Sequence, residues 1–302
     1  MKGLLNIKKL DYILITAARN EEDYIDATIK SVLSQTVLPQ KWIIVSDGST
    51  DKTDRIIKEH SEHSNLLEFV RREAEDSRQF DIASKVFALN TGYERIKSYA
   101  CGYIGHLDAD ITMERDYYEN IIKKFNENKL LGIAGGFIYE PVAGRFKCRP
   151  YNTSRSVAGA IQLFRRECYE HIGGFIPLRM GGEDTYAEVV ARKKGWKVQS
   201  FPEIVVRHHK VGNLSRGKVR ECFRKGMAAY SLGSHPLFEV VKSIRRGVEK
   251  PYGISVLSRM IGFMWPYLCG QERLVSDEFI KFMRKEQLIQ LRNFIMRRGS
   301  RA

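Results

Sequence analysis

Residues 43–51 read IIVSDGSTD, a short apolar run that ends in a carboxylate and a turn. Such a run is typical of a buried strand, so Asp47 is expected at the C-terminal end of that strand. Residues 103–110 repeat the arrangement, because the run YIGHL is followed directly by Asp108 and Asp110. In an open parallel sheet, ligands bind at the C-terminal ends of the strands. The two stretches together predict an α/β fold with a ligand site at one edge of its sheet.

Three acidic clusters carry the functional prediction: Asp47, the pair Asp108 and Asp110, and the pair Glu183 and Asp184 after two glycines. Two aspartates one residue apart suit a hard divalent cation that carries the phosphates of a substrate. A third acidic site farther along the chain suits a general base. A single DGS is usually a turn, and a single DxD is usually a solvated loop. The three clusters in this order instead indicate group transfer from a nucleotide-activated donor.

Apolar strands alternate with amphipathic helices through the first part of the chain. Strands are predicted at 11–17, 42–45, 66–70 and 103–107, and a helix follows each of the first three. The third of these helices is predicted over 83–99, with an interruption at the Asn-Thr-Gly of 90–92. This rhythm predicts a mostly parallel central sheet that is flanked by helices and joined by right-handed crossovers. From about residue 212 onward the pattern becomes helical and basic.

Composition and charge limit the possible classes of protein. The chain has 302 residues, of which 43% are hydrophobic, and this is enough for a large core. Five scattered cysteines without a CxxC pair favour reduced thiols in a cytosolic setting over a disulfide framework or a zinc site. The N-terminus lacks a sustained apolar run, so no signal peptide is expected. Residues 205–302 hold 20 Lys/Arg and 7 Asp/Glu, so nearly all of the net charge of +14 lies there.

At these residues the chain resembles the family-2 inverting glycosyltransferases of the GT-A fold, which use nucleotide-diphospho-sugars. Six motifs in family order over roughly residues 11–210 carry the resemblance: ARNEE, DGSTD, Lys85 with ALNTG, LDAD, GGF and GGED. The resemblance implies a GT-A catalytic domain over 1–211 and a helical, basic C-terminal region over 212–302. Within the catalytic domain, 1–115 would bind the nucleotide sugar, and 116–211 would bind the acceptor and carry the base.

The resemblance also implies donor-binding roles for individual residues. Ala17, Arg19 and Glu21 would line the nucleoside pocket, and Asp47 would accept a hydrogen bond from the base. Lys85 would lie near the phosphates. Two plainer interpretations remain open at this point: Lys85 as a solvated helix residue, and Arg19 as an ordinary residue at a helix start.

The metal and the catalytic base are implied in the same way. Asp110 would bind Mg²⁺ or Mn²⁺ bridging the diphosphate, and Asp108 would contact the ribose or the metal. One residue of the pair at 208 and 209 would approach the metal or the leaving phosphate, and His209 is taken as the ligand, although a surface histidine pair is the alternative. Asp184 would deprotonate the acceptor hydroxyl group, with Glu183 as the competing candidate.

The apolar stretch 252–269 contains Arg259 and Pro266 and is flanked by cations. It falls short of the ~20 apolar residues of a membrane span, and a central arginine costs about 2.5–3.5 kcal/mol on insertion scales. An interfacial helix on an anionic leaflet is therefore favoured over a span. A helix packed on the catalytic domain or in a dimer interface remains the alternative.

The expected function is that of a metal-dependent inverting glycosyltransferase in the synthesis of a cell-surface polysaccharide or a lipid-linked glycan. Its partners would be a nucleotide-sugar donor, a glycan or lipid-linked acceptor and an anionic membrane surface, with oligomerisation left open. The expected location is the cytoplasm, including the inner face of the cell membrane. A sugar-1-phosphate nucleotidyltransferase is the alternative enzyme, although the first loop lacks its glycines. A basic nucleic-acid-binding protein is the alternative outside enzymes, but no recognisable nucleic-acid motif supports it, so no nucleic-acid partner is expected.

Overall fold

The structure is a computed structural model that describes residues 11–73, 83–210, 216–246 and 253–299. Packing divides the chain into two compact units. The first comprises Met1–Phe175 and Lys194–Lys210, and the second comprises Ile176–Lys193 and Val211–Ala302. The predicted domains 1–211 and 212–302 stay a prediction, and the packing differs from them by placing 176–193 with the C-terminal helices.

The first unit is a single β-sheet with helices packed around it, which confirms the predicted α/β class. Its strands are β1 (Tyr12–Ala18), β2 (Lys41–Asp47), β3 (Leu67–Arg72), β4 (Tyr103–His106), β5 (Ile111–Met113), β6 (Leu131–Val142), β7 (Arg145–Cys148), β8 (Leu163–Arg165) and β9 (Lys197–His208). Its helices are α1 (Ile25–Leu33), α2 (Thr53–Glu62), α3 (Ser84–Ile96), α4 (Tyr117–Glu127) and α5 (Arg166–Ile172).

The strands are ordered β3-β2-β1-β4-β8-β6-β9-β5, and β7 pairs with β6. The first four strands of this order run parallel, as the β-α-β rhythm predicts. Beyond them β8 is antiparallel to β4 and β6, β9 is parallel to β6, and β5 is antiparallel to β9. The sheet is therefore parallel where the first motifs lie and mixed farther out. Neither β5 nor β7 is predicted from the sequence. All four residues of β7 are exposed, so no apolar run marks it, and β5 has only three residues directly after the loop of Asp108 and Asp110.

Helix α3 runs through residues 90–92 without a break, so the predicted interruption is wrong. The reason is the close approach of α3 to the sheet at Gly92. A Cβ atom on Gly92 would lie 2.5 Å from Cγ2 of Ile15 and 3.4 Å from Cγ2 of Val45. Glycine at this position therefore allows α3 to pack closely on β1 and β2, and it does not end the helix.

The second unit is helical, which confirms the predicted helical C-terminal region. Its helices are α6 (Glu183–Lys193), α7 (Arg216–Ser231), α8 (Pro236–Arg246), α9 (Ile254–Leu268) and α10 (Asp277–Gly299). A buried apolar cluster joins α6 to α10 and consists of Leu178, Val189, Leu232, Phe279, Ile280 and Met283. In the described ranges, no helix combines the length and the apolar character that a membrane crossing requires.

Helices α7 and α9 cross with their backbones in close contact. A Cβ atom on Gly226 would lie 2.1 Å from the carbonyl oxygen of Arg259. A Cβ atom on Gly262 would lie 2.0 Å from the carbonyl oxygen of Phe223. Both distances are too short for any side chain, so the two glycines permit this crossing.

Candidate active site

A cavity of about 460 Å³ opens at the C-terminal edge of the parallel strands, and this size is typical of small-molecule sites. Its walls come from the segments after β1, β2 and β4 and from the start of α3. The lining residues are Ala17, Ala18, Arg19, Glu21, Asp47, Ser84, Lys85, Asp108, Ala109 and Asp110. The structure thus brings together every residue that the sequence assigns to the donor, as well as Asp110. Their individual binding roles stay predictions.

The loops after β1 and β2 hold each other through backbone and side-chain hydrogen bonds. The N–H of Asn20 donates to Oγ of Ser49 at 3.2 Å, and Oδ1 of Asn20 accepts from the N–H of Thr50 at 2.8 Å. The N–H of Glu21 donates to Oγ1 of Thr53 at 2.8 Å. Asn20 itself has a φ of 54°, in the left-handed region that asparagine tolerates well. The first two motifs therefore form one rigid wall of the cavity.

Asp47 ends β2 and is 3% exposed. Its Oδ1 accepts a hydrogen bond from Nη1 of Arg72 at 2.5 Å, and its Oδ2 accepts one from the hydroxyl of Ser84. Arg72 reaches Asp47 because the two residues are paired in register across β2 and β3. A buried carboxylate needs such partners to offset the loss of water. Neither Arg72 nor Ser84 is predicted from the sequence, because strand register and the placement of α3 are not visible in it.

Lys85 lies in the first turn of α3 and forms an ion pair with Asp108. Its Nζ lies 2.6 Å from Oδ1 of Asp108, and both side chains are about one-third exposed. Because Lys85 lines the cavity, its ammonium group is within the space that a ligand would enter. The phosphate-binding role of Lys85 stays a prediction.

Asp110 is buried and is bonded to His208 through Oδ2 and Nε2, which are 2.9 Å apart. The antiparallel pairing of β5 and β9 sets Ile111 opposite His208 and so brings the imidazole to Asp110. Burial lowers the pKa of His208, but hydrogen bonds to Asp110 and Glu140 outweigh this effect and raise it to about 9. The hydrogen bond between His208 and Glu140, together with the contact from Arg149, lowers the pKa of Glu140 to about 2. The imidazole of His208 thus lies between two carboxylates, those of Asp110 and Glu140.

His209 has different surroundings from its neighbour. Its Nε2 lies 2.7 Å from Oγ1 of Thr112, and its ring centroid lies 5.3 Å from that of Phe146. Burial lowers the pKa of His209. The metal role of His209 stays a prediction, and it is the His208 imidazole that contacts the carboxylate of Asp110.

Glu21 contributes a buried acceptor atom to the cavity wall. Its Oε1 accepts a hydrogen bond from Nζ of Lys210 at 2.6 Å. Its Oε2 has no hydrogen-bond partner among the described residues. Burial raises the pKa of Glu21, Lys210 opposes this shift, and the charges of Asp110 and Asp108 raise it further. A buried polar atom without a partner is costly, and this one is suited to a donor group or cation that enters the cavity.

Glu183 and Asp184 are the first two residues of α6, in the second unit. The chain enters the helix through Gly181 and Gly182, whose φ angles of 78° and 95° favour glycine. Oδ1 of Asp184 accepts a hydrogen bond from the N–H of Thr185 at 2.6 Å. Acidic side chains in a first turn also interact favourably with the helix dipole, so the pair has a structural role as well. Its catalytic role stays a prediction.

The oxygen atoms of the cavity fit a hard divalent cation. Within the described part of the chain, no three His, Cys, Asp or Glu side chains converge as a ready-made metal site. Magnesium and similar ions are, however, usually held by one or two carboxylates, with waters and substrate phosphates completing the shell. Asp108 and Asp110 are two such carboxylates, and Oε2 of Glu21 is a third oxygen nearby that lacks a partner.

The family model described as "Glycosyl transferase family 2" matches residues 13–184, which is more than half of the chain. The match begins in β1 and ends at the second residue of α6. It therefore includes all the residues that line the cavity, together with the acidic pair at 183 and 184.

Two curated bacterial proteins illustrate the similarity in sequence. "Glycosyltransferase GlyA" of Streptococcus pneumoniae serotype 4 is 30% identical over 114 residues, which are 38% of this chain and 15% of that protein. "Poly-beta-1,6-N-acetyl-D-glucosamine synthase" of Staphylococcus aureus is 23% identical over 283 residues, which are 87% of this chain and 65% of that protein. The chain thus spans less than two-thirds of the length of either relative.

Two solved structures share the fold. The mannosyltransferase PcManGT from Pyrobaculum calidifontis, in complex with GDP-Man and Mn²⁺, has a TM-score of 0.56 at 18% identity, over 93% of this chain and 80% of that one. GalNAc-T7 with UDP, GalNAc and Mn²⁺ has a TM-score of 0.55 at 13% identity, over 93% of this chain and 57% of that one. At such identities the likeness concerns the fold alone, and it confirms the predicted GT-A architecture.

Proposed function

The chain belongs to glycosyl transferase family 2, and on this premise we propose that it moves a sugar from a nucleotide-diphospho-sugar to an acceptor hydroxyl group. One observation carries the proposal. The residues that the family motifs assign to the donor all line a single cavity at the C-terminal edge of the parallel strands. Open α/β sheets bind nucleotides at this edge. Two distant structural relatives hold a nucleotide or nucleotide sugar together with Mn²⁺, which supports the same ligand class here.

The nucleoside would bind against the wall formed by the loops after β1 and β2. Asp47 would accept a hydrogen bond from a ring N–H of the base. Arg72 and Ser84 hold the two oxygens of this carboxylate, so they would orient it toward the base. Ala17 and Arg19 line the same cavity and would contact the nucleoside.

The diphosphate would bind farther along the same edge, between Lys85 and the two aspartates. Asp108 and Asp110 would hold Mg²⁺ or Mn²⁺, which when bound would neutralise the charge of the leaving diphosphate. Lys85 would exchange its contact with Asp108 for a phosphate oxygen, as a point charge suited to that role. His208 would orient the carboxylate of Asp110 through the contact between its Nε2 and Oδ2.

We propose inversion at the anomeric carbon, with Asp184 as the base. An inverting displacement needs a base on the face of the sugar opposite the leaving diphosphate. A carboxylate is a weak base for a sugar hydroxyl group, so its contribution depends on how closely it is positioned. Asp184 would take the proton of the acceptor hydroxyl, and that oxygen would form the new glycosidic bond as the diphosphate leaves.

The acceptor would be a growing polysaccharide or a lipid-linked glycan. The support is a relative over 87% of this chain whose name describes a poly-N-acetylglucosamine synthase. Because that relative is only 23% identical, it supports the class of acceptor and not the particular sugar.

A donor screen tests the proposal directly. Thermal unfolding would be followed with UDP-, GDP- and dTDP-sugars, each with and without Mn²⁺. We expect one nucleotide class to raise the unfolding temperature only when Mn²⁺ is present, and slow hydrolysis of that donor without acceptor. Proton NMR of a product glycoside would report its anomeric configuration. No stabilisation and no hydrolysis with any donor would contradict the proposal, and a retained configuration would contradict the inverting mechanism alone.

A further inference from the structure

Helix α8 buries two polar side chains and exposes three apolar ones. Glu239 and Ser243 are each 1% exposed, whereas Leu237 is 55% and Ile244 is 63% exposed. Val240 lies on the same outward side and is also exposed. A surface helix of a water-soluble protein normally has the opposite orientation.

Helix α9 also exposes an apolar side, over four turns. Its buried positions are Ser255, Ser258, Arg259, Gly262, Phe263 and Pro266, so its inward side combines polar and apolar residues. Its exposed apolar positions recur at helical spacing and are Ile254, Leu257, Ile261, Met264, Trp265 and Leu268. These six residues are called the outward face of α9, and Leu237, Val240 and Ile244 are called the outward face of α8.

The charge inside the apolar segment does not reach these faces. Nη2 of Arg259 donates a hydrogen bond to Oε2 of Glu239 at 2.8 Å, and both side chains are buried. The hydroxyl of Ser258 donates to the carbonyl oxygen of Val219 on α7 at 2.7 Å. The arginine that argues against a membrane span in the sequence is therefore paired with Glu239 inside the helical unit. The outward face of α9 carries no charged side chain.

The dimensions of α9 suit a lipid surface rather than a crossing. Fifteen residues make a helix of about 22 Å, which is shorter than the ~30 Å hydrocarbon core of a bilayer. Trp265 and Tyr267 lie near its C-terminal end and are both exposed. Tryptophan and tyrosine are enriched where protein meets the headgroup region.

Charge decides between a lipid surface and a second copy of the chain. Arg245 and Arg246 follow the outward face of α8, and Arg273 follows α9, whereas Lys242 is paired with the buried Glu239 at 3.6 Å. In a two-fold dimer the same patch lies on both sides, so these cations would approach their own copies and repel. Anionic headgroups would instead complement them.

We propose that the outward faces of α8 and α9 dock the protein on an anionic lipid bilayer, where the two helices lie in the interfacial region without crossing it. This inference does not depend on the proposed transfer reaction.

Sedimentation of the full chain with vesicles tests it. The vesicles would be phosphatidylcholine alone or phosphatidylcholine with phosphatidylglycerol, each at low and high ionic strength. We expect binding to the anionic vesicles that weakens with salt. The double variant Leu257→Glu with Ile261→Glu should lower the partition coefficient roughly tenfold or more, because charged side chains enter an apolar environment poorly. Both positions are exposed, so the fold should tolerate the change, and circular dichroism would verify this.

The matched control is the double variant Leu38→Glu with Leu130→Glu, which makes the same chemical change at exposed positions of the first unit. It should bind vesicles like the unchanged protein. Trp265 supplies a second measurement, since its emission should shift to shorter wavelength on anionic vesicles and the shift should vanish in Trp265→Phe. The proposal is overturned by equal binding to neutral vesicles, by no binding at all, or by undiminished binding of the α9 double variant. Light scattering that shows a dimer dissociated by the same α9 variant, without lipid binding, would identify a self-association surface instead.

Discussion

Basic side chains of the chain itself accompany the acidic side chains of the cavity. Lys85 contacts Asp108, and His208 contacts Asp110, so each carboxylate has a counter-charge before any ligand binds. A buried carboxylate without a counter-charge is strongly destabilising, so the pair of His208 with the buried Asp110 supports the folded cavity, whereas the more exposed pair of Lys85 with Asp108 contributes less. Binding of a metal ion and a diphosphate would exchange partners, with the carboxylates turning to the ion and Lys85 turning to a phosphate.

We expect Asp110→Asn to fold normally and to lose metal-dependent donor binding. The amide still accepts a hydrogen bond from His208 but carries no charge for a hard cation. Titration of Mn²⁺ in the presence of a nucleotide should show an affinity at least about 10–100-fold lower, the range typical of changes around a metal site. Asp116→Asn makes the same change at an exposed position before α4 and should have no effect. Equal Mn²⁺ affinity in Asp110→Asn and the unchanged protein would remove Asp110 from the metal site.

We expect Asp184→Asn to lower turnover by about 10²–10⁴-fold, the usual contribution of a general base. Donor affinity should change little, because the base acts on the acceptor. Glu183→Gln is the matched control, since it removes a carboxylate from the same first turn of α6. Steady-state kinetics with a saturating donor would compare the turnover of the two variants. A large loss in Glu183→Gln with a nearly silent Asp184→Asn would reverse the assignment.

The burial of His106 predicts that the free energy of unfolding falls in acid. It is fully buried beside the rings of Phe164 and Phe175, and neither ring nitrogen has a hydrogen-bond partner among the described residues. Burial lowers its pKa to about 3. The unfolded chain therefore binds a proton near pH 6.5, whereas the folded chain does not, so stability is complete above pH 6.5 and falls between pH 6.5 and 3.

We expect His106→Phe to remove this part of the pH dependence. Between pH 7.5 and 5 the unchanged protein should lose about 2 kcal/mol more unfolding free energy than the variant, from 1.4 kcal/mol per pH unit below 6.5. Urea unfolding at the two pH values measures the difference. His63→Phe, at an exposed position after α2, should behave like the unchanged protein. Identical pH dependence in the unchanged protein and His106→Phe would show that His106 takes up its proton in the folded state.

At the scale of elements, periodicity in the sequence predicts the strands that carry the site. The apolar runs of β1, β2 and β4 are long enough to be recognised, and Asp47, Asp108 and Asp110 follow from where those runs end. The hydrogen-bond partners of these aspartates cannot be predicted in this way. Arg72 and His208 reach Asp47 and Asp110 through strand register, which no local pattern encodes. The close crossing of α7 and α9 is missed for the same reason, since each glycine contacts a backbone far away in the chain.

The crossing of α7 and α9 gives a prediction at this scale. On helix propensity alone, Gly262→Ala should stabilise a helix interior by about 1 kcal/mol. We expect the opposite sign here, a loss of roughly 1–3 kcal/mol, because the new methyl group would overlap the backbone of Phe223. Thermal unfolding measures the change. Gly102→Ala is the control, since a Cβ atom there would lie at an ordinary 3.5 Å from the carbonyl oxygen of Asp11. A stabilised Gly262→Ala would show that the two helices are farther apart than described.

At the scale of the whole molecule, the second unit is assembled from two separate stretches of chain, 176–193 and 211–302. Helix α6 packs through Val189 against Phe279 and Ile280, and Arg192 is bonded to Glu286 at 2.9 Å. The helix that bears the acidic pair therefore depends on the C-terminal residues for its packing.

We expect a chain that ends at residue 211 to lose the order of α6. Without α10, the apolar side of α6 loses its contacts with Phe279, Ile280 and Met283, so the backbone amides of 187–191 should exchange hydrogen nearly as fast as in an unfolded chain. Hydrogen exchange followed by mass spectrometry measures this. A chain that ends at residue 296 retains the packing residues of α10 and should keep the protection. Full protection of 187–191 in the shorter chain would show that α6 is stable without the C-terminal helices.

Because the second unit is built from two separate stretches of chain, α6 is synthesised well before its packing partner α10. Val189 leaves the ribosome about 90 residues before Phe279, so at 5–20 residues per second α6 waits roughly 5–20 s for its packing partner. During this interval Tyr186 and Val189 lack the side chain of Phe279 that packs against them. The nascent chain is consequently most exposed to aggregation and to chaperone binding when its first unit is already complete.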